Sequence, residues 1–197
     1  LPVSARFPGN LPDGRGVKIA MQWVALFYSI VVSASRRVTS ADLLAIATLA
    51  GLTNARTVIA SGNLIGTSSL PEPEVENRLE AATLAILGKP IPVICREASA
   101  WRQMVAANPF PEETARVPAQ VAVRVMRAAP SAETLTRIES RATTGEYFHA
   151  QDRALWLCTP GRLSDGPLMR AVSAPWAGIG TFRNASAIVK IANALDG

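Results

Sequence analysis

Few side chains in this chain could do chemistry, and their spacing limits which chemistry that is. His149 is the only histidine, so a Ser-His-Asp or Cys-His nucleophile would have to use it. It falls at the end of a predicted strand beside a loop, where a surface imidazole is the ordinary outcome. Cys95 and Cys158 each lie in an apolar run, Pro92-Val-Ile-Cys95 and Leu155-Trp-Leu-Cys158, and neither belongs to a Cys-x-x-Cys pair. One histidine and two separated cysteines give no metal-ligand spacing. They read as core thiols in a reducing cytosol, with a disulfide between them left open. No acids are spaced as a carboxylate pair, since Glu146, Asp152 and Asp165 fit solvated turns. Gly178-Ile179-Gly180 enters a helix as a dinucleotide loop does, but Arg183 stands where a third glycine is needed and no ribose-binding acid follows. No cofactor and no metal are implied. What remains is a polar set, Ser61 and Asn63 from one turn with Arg183 and Asn184 from another. A hydroxyl, two carboxamides and a guanidinium would suit a hydrolase or transferase, provided that they converge within hydrogen-bond reach.

Those four residues depend on the elements that carry them. Ser61-Gly62-Asn63 separates the β-rich stretches 56–60 and 64–65. Gly and Asn tolerate positive φ, so the segment reads as a hairpin. Before it, residues 22–32 form a strand apolar on both faces, hence a central one. Residues 39–50 then form a helix with Ser40 as N-cap and Gly51 as its stop. After the hairpin, 71–87 is a helix with Glu72, Glu74 and Glu76 at its N-terminal end and Val75, Leu79, Ala82 and Ile86 inward. Residues 91–96 are a strand. The order β-α-β-β-α-β then recurs. A short helix at 98–107 ends at Asn108-Pro-Phe-Pro111. It is followed by a strand at 120–126, a helix at 131–141, a hairpin of 146–149 with 154–159, a short helix at 168–172, a strand at 178–182 and a helix at 184–195 capped by Asn184. The fold class is α+β, two tandem ferredoxin-like α/β plaits with antiparallel sheets. Residues 1–20 are a disordered tail or extension, 21–97 the first unit, 98–119 a connecting helix and Pro-rich linker, and 120–197 the second unit. Helices cover one face of each sheet. The other faces are available to pack on each other or on a partner, including a homodimer through an open sheet face.

The bulk numbers set the class. The chain has 197 residues, 49% hydrophobic and 18% charged, with a net charge of +5, a globular composition with a sizeable core. A modest positive balance permits nucleic acid without requiring it. Arg36-Arg37 and neighbouring basic residues are the candidate contacts. RNA-recognition modules share the plait topology but stack bases on aromatic residues of central strands, and the strand at 64–68 has none. No apolar run reaches bilayer length, so no membrane is implied and the location reads as cytoplasmic. A signal peptide over 21–35 competes with the central strand, and the strand's aromatic and β-branched content favours the latter.

Three motifs in order carry a resemblance. They are Ala55-Arg-Thr-Val-Ile-Ala-Ser-Gly-Asn63, Ala106-Ala-Asn-Pro-Phe-Pro111 and Gly180-Thr-Phe-Arg-Asn184. The chain resembles, from about Met21 to the C-terminus, a bacterial family of unknown function, DUF1697, as a divergent member. The resemblance implies a pair of ferredoxin-like units and carries no activity. The family opens with Leu-Arg-Gly-Ile-Asn-Val-Gly-Gly where this chain has Phe27-Tyr-Ser-Ile-Val-Val-Ser-Ala34. Its Arg-Asn-Trp-x-Thr becomes Arg183-Asn-Ala-Ser-Ala187, and its Ser-Lys-Leu becomes Gly166-Pro-Leu168. Polar groups and backbone-permissive glycines are thus depleted in these loops. Three functions follow. The leading one is a non-catalytic binding or association module using an open sheet face or the cleft between the units. The alternatives are a weak nucleic-acid-binding protein through Arg36 and Arg37, and an enzyme with a polar site of Ser61, Asn63, Arg183 and Asn184.

Overall fold

The apolar run after Met21 becomes a strand buried on both faces, β1 (Met21–Phe27). The computed structural model describes residues 19–28, 31–33, 36–59, 62–161 and 166–196. The strand stops at Phe27 and not at residue 32, because Val31–Ser33 (β2) pairs back on Arg36–Arg37 (β3) as a small separate ribbon. Helix α1 (Ser40–Leu49) follows. Its cap is Thr39, one residue before the expected Ser40. The Thr39 hydroxyl accepts from the Asp42 N–H at 3.1 Å, and the Asp42 carboxylate accepts from the Thr39 N–H at 2.9 Å. Both bonds of a capping box are therefore present. Strands β4 (Thr53–Thr57) and β5 (Asn63–Ser68), helix α2 (Glu72–Leu87) and strand β6 (Val93–Glu97) complete the first unit. Gly88 ends α2 at φ 69°, the left-handed conformation that glycine adopts without steric cost. The sheet runs β4-β5-β1-β6, antiparallel throughout.

Helix α3 (Ala98–Ala106) leads into α4 (Pro111–Arg116), a turn of helix within the stretch that reads as linker. Pro111 and Pro118 do not prevent it, because each sits at the first turn of its own short helix, where no N–H bond is lost. The second unit runs β7 (Val121–Met126), α5 (Ala132–Glu139), β8 (Tyr147–Gln151), β9 (Ala154–Cys158), α6 (Pro167–Ser173), β10 (Gly180–Asn184) and α7 (Ala185–Ala194). Its sheet order is β10-β7-β9-β8. In both sheets the first strand of the unit lies between the third and the fourth, which is the order of an α/β plait.

Alternation along the strands sorts the core into three apolar layers. Trp23, Ala25 and Phe27 face α1 and α2, where Leu43, Ile46, Val75 and Leu79 are buried. Met126, Leu155 and Leu157 face α5 and α6. The third layer lies between the sheets. Val24, Leu26, Ile65 and Ile94 of the first meet Val121, Val123, Val125 and Trp156 of the second, with Trp101 of α3 and Ile188 and Ile191 of α7 filling the layer. The Trp101 indole N–H reaches the Ile188 carbonyl at 3.4 Å. Burying each large aliphatic side chain here contributes about 1.5–3 kcal/mol. The inner sheet faces are thus covered within one chain, so a homodimer through an open sheet face is not available at this layer. This also explains why all six residues of β7 are buried although the sequence alternates. A strand covered on both sides has no outward face.

Candidate functional site

The turn before β5 and the end of β10 meet. Gly62 sits at φ 73°, a left-handed conformation, and Asn63 begins β5 fully buried. The Asn63 carboxamide donates to the Val58 carbonyl at 3.0 Å and accepts from Arg183 Nε at 2.5 Å. Arg183 Nη2 donates to the Gly62 carbonyl at 3.1 Å, and Nη1 donates to Thr181 Oγ1 at 3.0 Å and to the Phe182 carbonyl at 2.7 Å. Burial pulls the Arg183 guanidinium down to about 10, since a charge leaving water is disfavoured. Two of the four residues singled out from sequence therefore converge across 120 positions of chain. Asn184 does not join them. Its side chain accepts from the Ala187 N–H at 2.8 Å and caps α7. Ser61 lies outside the described residues. Carbonyl oxygens and a carboxamide surround the guanidinium, so its hydrogen-bond geometry holds the second unit's edge strand to the first unit's hairpin.

A second cluster joins the units along β6. Glu72, Glu76 and Glu80 lie one turn apart on α2 and face Arg96, Arg127 and Arg153. Arg153 makes a two-pronged bond to the Glu72 carboxylate, its Nη2 reaching Oε2 at 3.0 Å. Arg127 pairs with Glu80 and approaches Glu76 at 3.4 Å. Arg96 donates to the Met126 carbonyl in β7 and to the Cys95 carbonyl at 2.7 Å. Burial lowers Arg96 to about 10, with the Arg153 charge adding to the effect. Burial also raises the Glu76 carboxyl, against the opposing pull of the Cys95 N–H and Arg127. Cys95 and Cys158 are buried free thiols, both pushed upward chiefly by burial. A thiol held in that form is a poor nucleophile. His149 is exposed. Among the described residues no group of three His, Cys, Asp or Glu could hold a metal ion, and no helix is long and apolar enough to cross a membrane.

Sequence reasoning did not find the groups around Trp176. This indole is half-buried beside α6, and the Arg137 guanidinium stacks on it 4.0 Å from the ring centre. A surface depression of about 310 Å³ opens there, lined by Arg141, Pro167, Arg170, Ala171, Ala174 and Trp176. Arg137, Arg141 and Arg170 are exposed. Nearby, burial of the Glu146 carboxyl works against ionisation. Bonds from the Thr143 hydroxyl and N–H and the Leu168 N–H, with the Arg170 charge, outweigh it and hold the group below the usual carboxylate range. A Cβ on Gly166 would fall 2.0 Å from the Glu146 carboxylate, so a larger residue there would push that carboxylate off its Thr143 and Leu168 partners. Arg137 lies in α5, Arg141 in the loop after it and Arg170 in α6, and no motif spacing links them. Arg36 and Arg37 form β3. The Arg37 side chain is exposed, and that of Arg36 lies outside the described residues.

The comparisons agree with this architecture. No curated protein matches the sequence. The fold is similar to that of a conserved bacterial protein, SP0830 from Streptococcus pneumoniae. The TM-score is 0.72 at 18% sequence identity, over 90% of this chain and 99% of that one. The family model described as protein of unknown function (DUF1697) matches residues 21–156. That span contains the Ser-Gly-Asn hairpin and the Asn-Pro-Phe-Pro turn and ends before β10. With most of its length matched, the chain belongs to the DUF1697 family.

Proposed function

We propose that this protein is a non-catalytic binding module and that its ligand is a small anion, taken up at the depression beside Trp176. One observation carries the reading: exposed Arg141, from the loop between α5 and β8, and exposed Arg170 of α6 line a single concave surface with an indole in its wall, and exposed Arg137 of α5 stacks on that indole. A guanidinium presents a planar fork that matches phosphate or carboxylate oxygens, and it stays charged at any working pH. The polar pair identified from sequence supports the same reading from the other side. Arg183 and Asn63 are engaged in holding the units together, and the enzyme alternative would need them for substrate.

Trp23, Trp101 and Trp156 are buried, so Trp176 is the indole that a ligand can reach. Titration with inorganic pyrophosphate at low ionic strength should change its fluorescence saturably, and Arg141→Ala should weaken binding several-fold. An unchanged signal through millimolar pyrophosphate, with the fold intact by circular dichroism, refutes the reading. The nucleic-acid alternative rests on the exposed Arg37 of β3. A gel shift with a single-stranded oligonucleotide that stays flat at low salt removes it.

A further inference from the structure

A sheet edge exposes a row of backbone N–H and C=O groups, and natural proteins blunt such edges with bulges, charges or covering groups. Of the four edges of the two four-stranded sheets, three are blunted. In β4 the ladder shifts register between Thr53 and Arg56, around Asn54 at φ 50°, and Arg56 itself reaches across to the Ala194 carbonyl. In β6 the outward groups are met one by one by side chains. Glu80 takes the Val93 N–H at 3.0 Å and Arg127 the Val93 carbonyl, while Glu76 takes the Cys95 N–H at 2.8 Å and Arg96 the Cys95 carbonyl. In β10 the Phe182 carbonyl accepts from Arg183, and the Gly178 carbonyl just before the strand accepts from Arg124 at 2.8 Å.

The fourth edge, β8, has none of these devices. Its sequence Tyr-Phe-His-Ala-Gln carries no Asp, Glu, Lys, Arg or Pro, and its register with β9 is unbroken over five residues. The two strands are joined by the two-residue turn Asp152-Arg153. In such a hairpin the closing pair is hydrogen-bonded, so Gln151, His149 and Tyr147 bond to β9, and Phe148 and Ala150 turn their backbone groups outward. Among the described residues nothing bonds to those outward groups. Tyr147, His149 and Gln151 are exposed, Tyr147 at 60%.

We propose that β8 pairs antiparallel with β8 of a second copy of this chain, joining the two second-unit sheets into one across a two-fold axis at His149. The positions select this occupant. The outward residues Phe148 and Ala150 lie symmetrically about His149, so each Phe148 faces the partner's Ala150. The pair exchanges two main-chain bonds, and the symmetric pair doubles them to four. The same register sets Tyr147 against the partner's Gln151. It makes His149 and the partner's His149 a non-hydrogen-bonded pair with Cα atoms about 4.5 Å apart. Tyr147 stands four strand positions from the partner's Tyr147, about 13 Å. This interface is independent of the anion reading, because it lies on a strand edge and not at the depression beside Trp176.

Sedimentation equilibrium from micromolar to millimolar protein should show mass rising from the 20.9 kDa chain towards twice that value. Ala150→Pro removes an outward N–H, a change that edge strands tolerate, and should hold the protein at monomer mass with unchanged circular dichroism. His149→Cys should cross-link on mild oxidation at least tenfold faster than Tyr147→Cys, since the former pair falls within disulfide range and the latter does not. The buried Cys95 and Cys158 leave the background low. A wild-type mass that stays at 20.9 kDa through millimolar concentration overturns the proposal. So does a dimer that survives Ala150→Pro, or equal cross-linking of the two cysteine variants. If Ala150→Pro does not fold, the cysteine comparison decides alone.

Discussion

Removing Arg183 tests whether the converged polar pair is a structural staple. Among the described residues the guanidinium donates to Asn63, Gly62, Thr181 and Phe182, and it is buried. Bonds from a charged donor contribute about 1.5–3 kcal/mol each. Against that stands desolvation, which pulls the group down to about 10 because a charge leaving water is disfavoured. Arg183→Ala removes both the gain and the penalty but leaves the Asn63 carboxamide and Gly62 carbonyl buried beside a void. The expected loss is about 3–5 kcal/mol, which in a chain of this size lowers the thermal midpoint by at least roughly 6 °C. Arg183→Lys keeps the charge without the planar fork and should recover less than half of that loss. Urea unfolding of Arg183→Ala, Asn63→Ala and the double variant closes a cycle, and the coupling should be about 1–3 kcal/mol. A coupling below about 0.5 kcal/mol refutes the staple. If Arg183→Ala instead leaves the midpoint in place and abolishes turnover of some substrate, the pair is a catalytic site and the structural argument is wrong.

Other parts of the fold are open to equally direct tests. Thr39→Ala removes one half of the capping box on α1 and should cost about 1 kcal/mol in urea unfolding. A Cβ on Gly180 would fall 2.4 Å from Met126 Sδ and 2.8 Å from Arg124 Nε. The Met126 side chain can yield, but Arg124 is tied to the Val172 and Gly178 carbonyls, so Gly180→Ala should destabilise by about 1–3 kcal/mol. Glu146 ionises more readily in the folded chain than in the unfolded one, so its contribution is present above pH 4.5 and lost as pH falls through the lower folded value. Glu146→Gln should therefore lower stability at neutral pH and flatten the acid limb of the stability profile, read by thermal midpoints from pH 7 to pH 3.

Much of the fold is legible in the sequence because period and punctuation agree there. The double β-α-β-β-α-β order, Gly88 as a helix stop, Asn184 as a cap and the buried thiols all follow from local residue chemistry. The pairing of Asn63 with Arg183 is half-legible. Their types suggest a polar cluster, but its purpose depends on how the two units stack. Stacking also decides what the alternation of β7 means. Arg124 alternates with Val123 and Val125, yet it is buried because a helix layer covers that face too. The end of β1 at Phe27 was hidden for a related reason. Val31 and Val32 suit a longer strand, and only the pairing of Val31–Ser33 with Arg36–Arg37 shows that the chain has turned back.

Buried arginines also change what the net charge can say. A balance of +5 suggests a positive surface, but Arg96, Arg124 and Arg183 are buried, and Arg127 and Arg153 are held by Glu72, Glu76 and Glu80. These groups bind carbonyls and carboxylates within the chain and offer little to a polyanion. Arg137, Arg141 and Arg170 gather around one indole, while Arg37, Lys89, Arg116 and Lys190 are exposed on other elements. A nucleic-acid footprint needs a track of cations matched to a repeating backbone. A cluster around one concavity of about 310 Å³ fits a compact anion better, and the two differ in a measurable way. Salt should weaken a compact anion with a shallow slope set by two or three charges, whereas an oligonucleotide lying across the surface would show a slope that grows with its length. If affinity rises steadily from a dinucleotide to a twelve-mer, the charge is acting as a track, and the anion reading gives way to the nucleic-acid one.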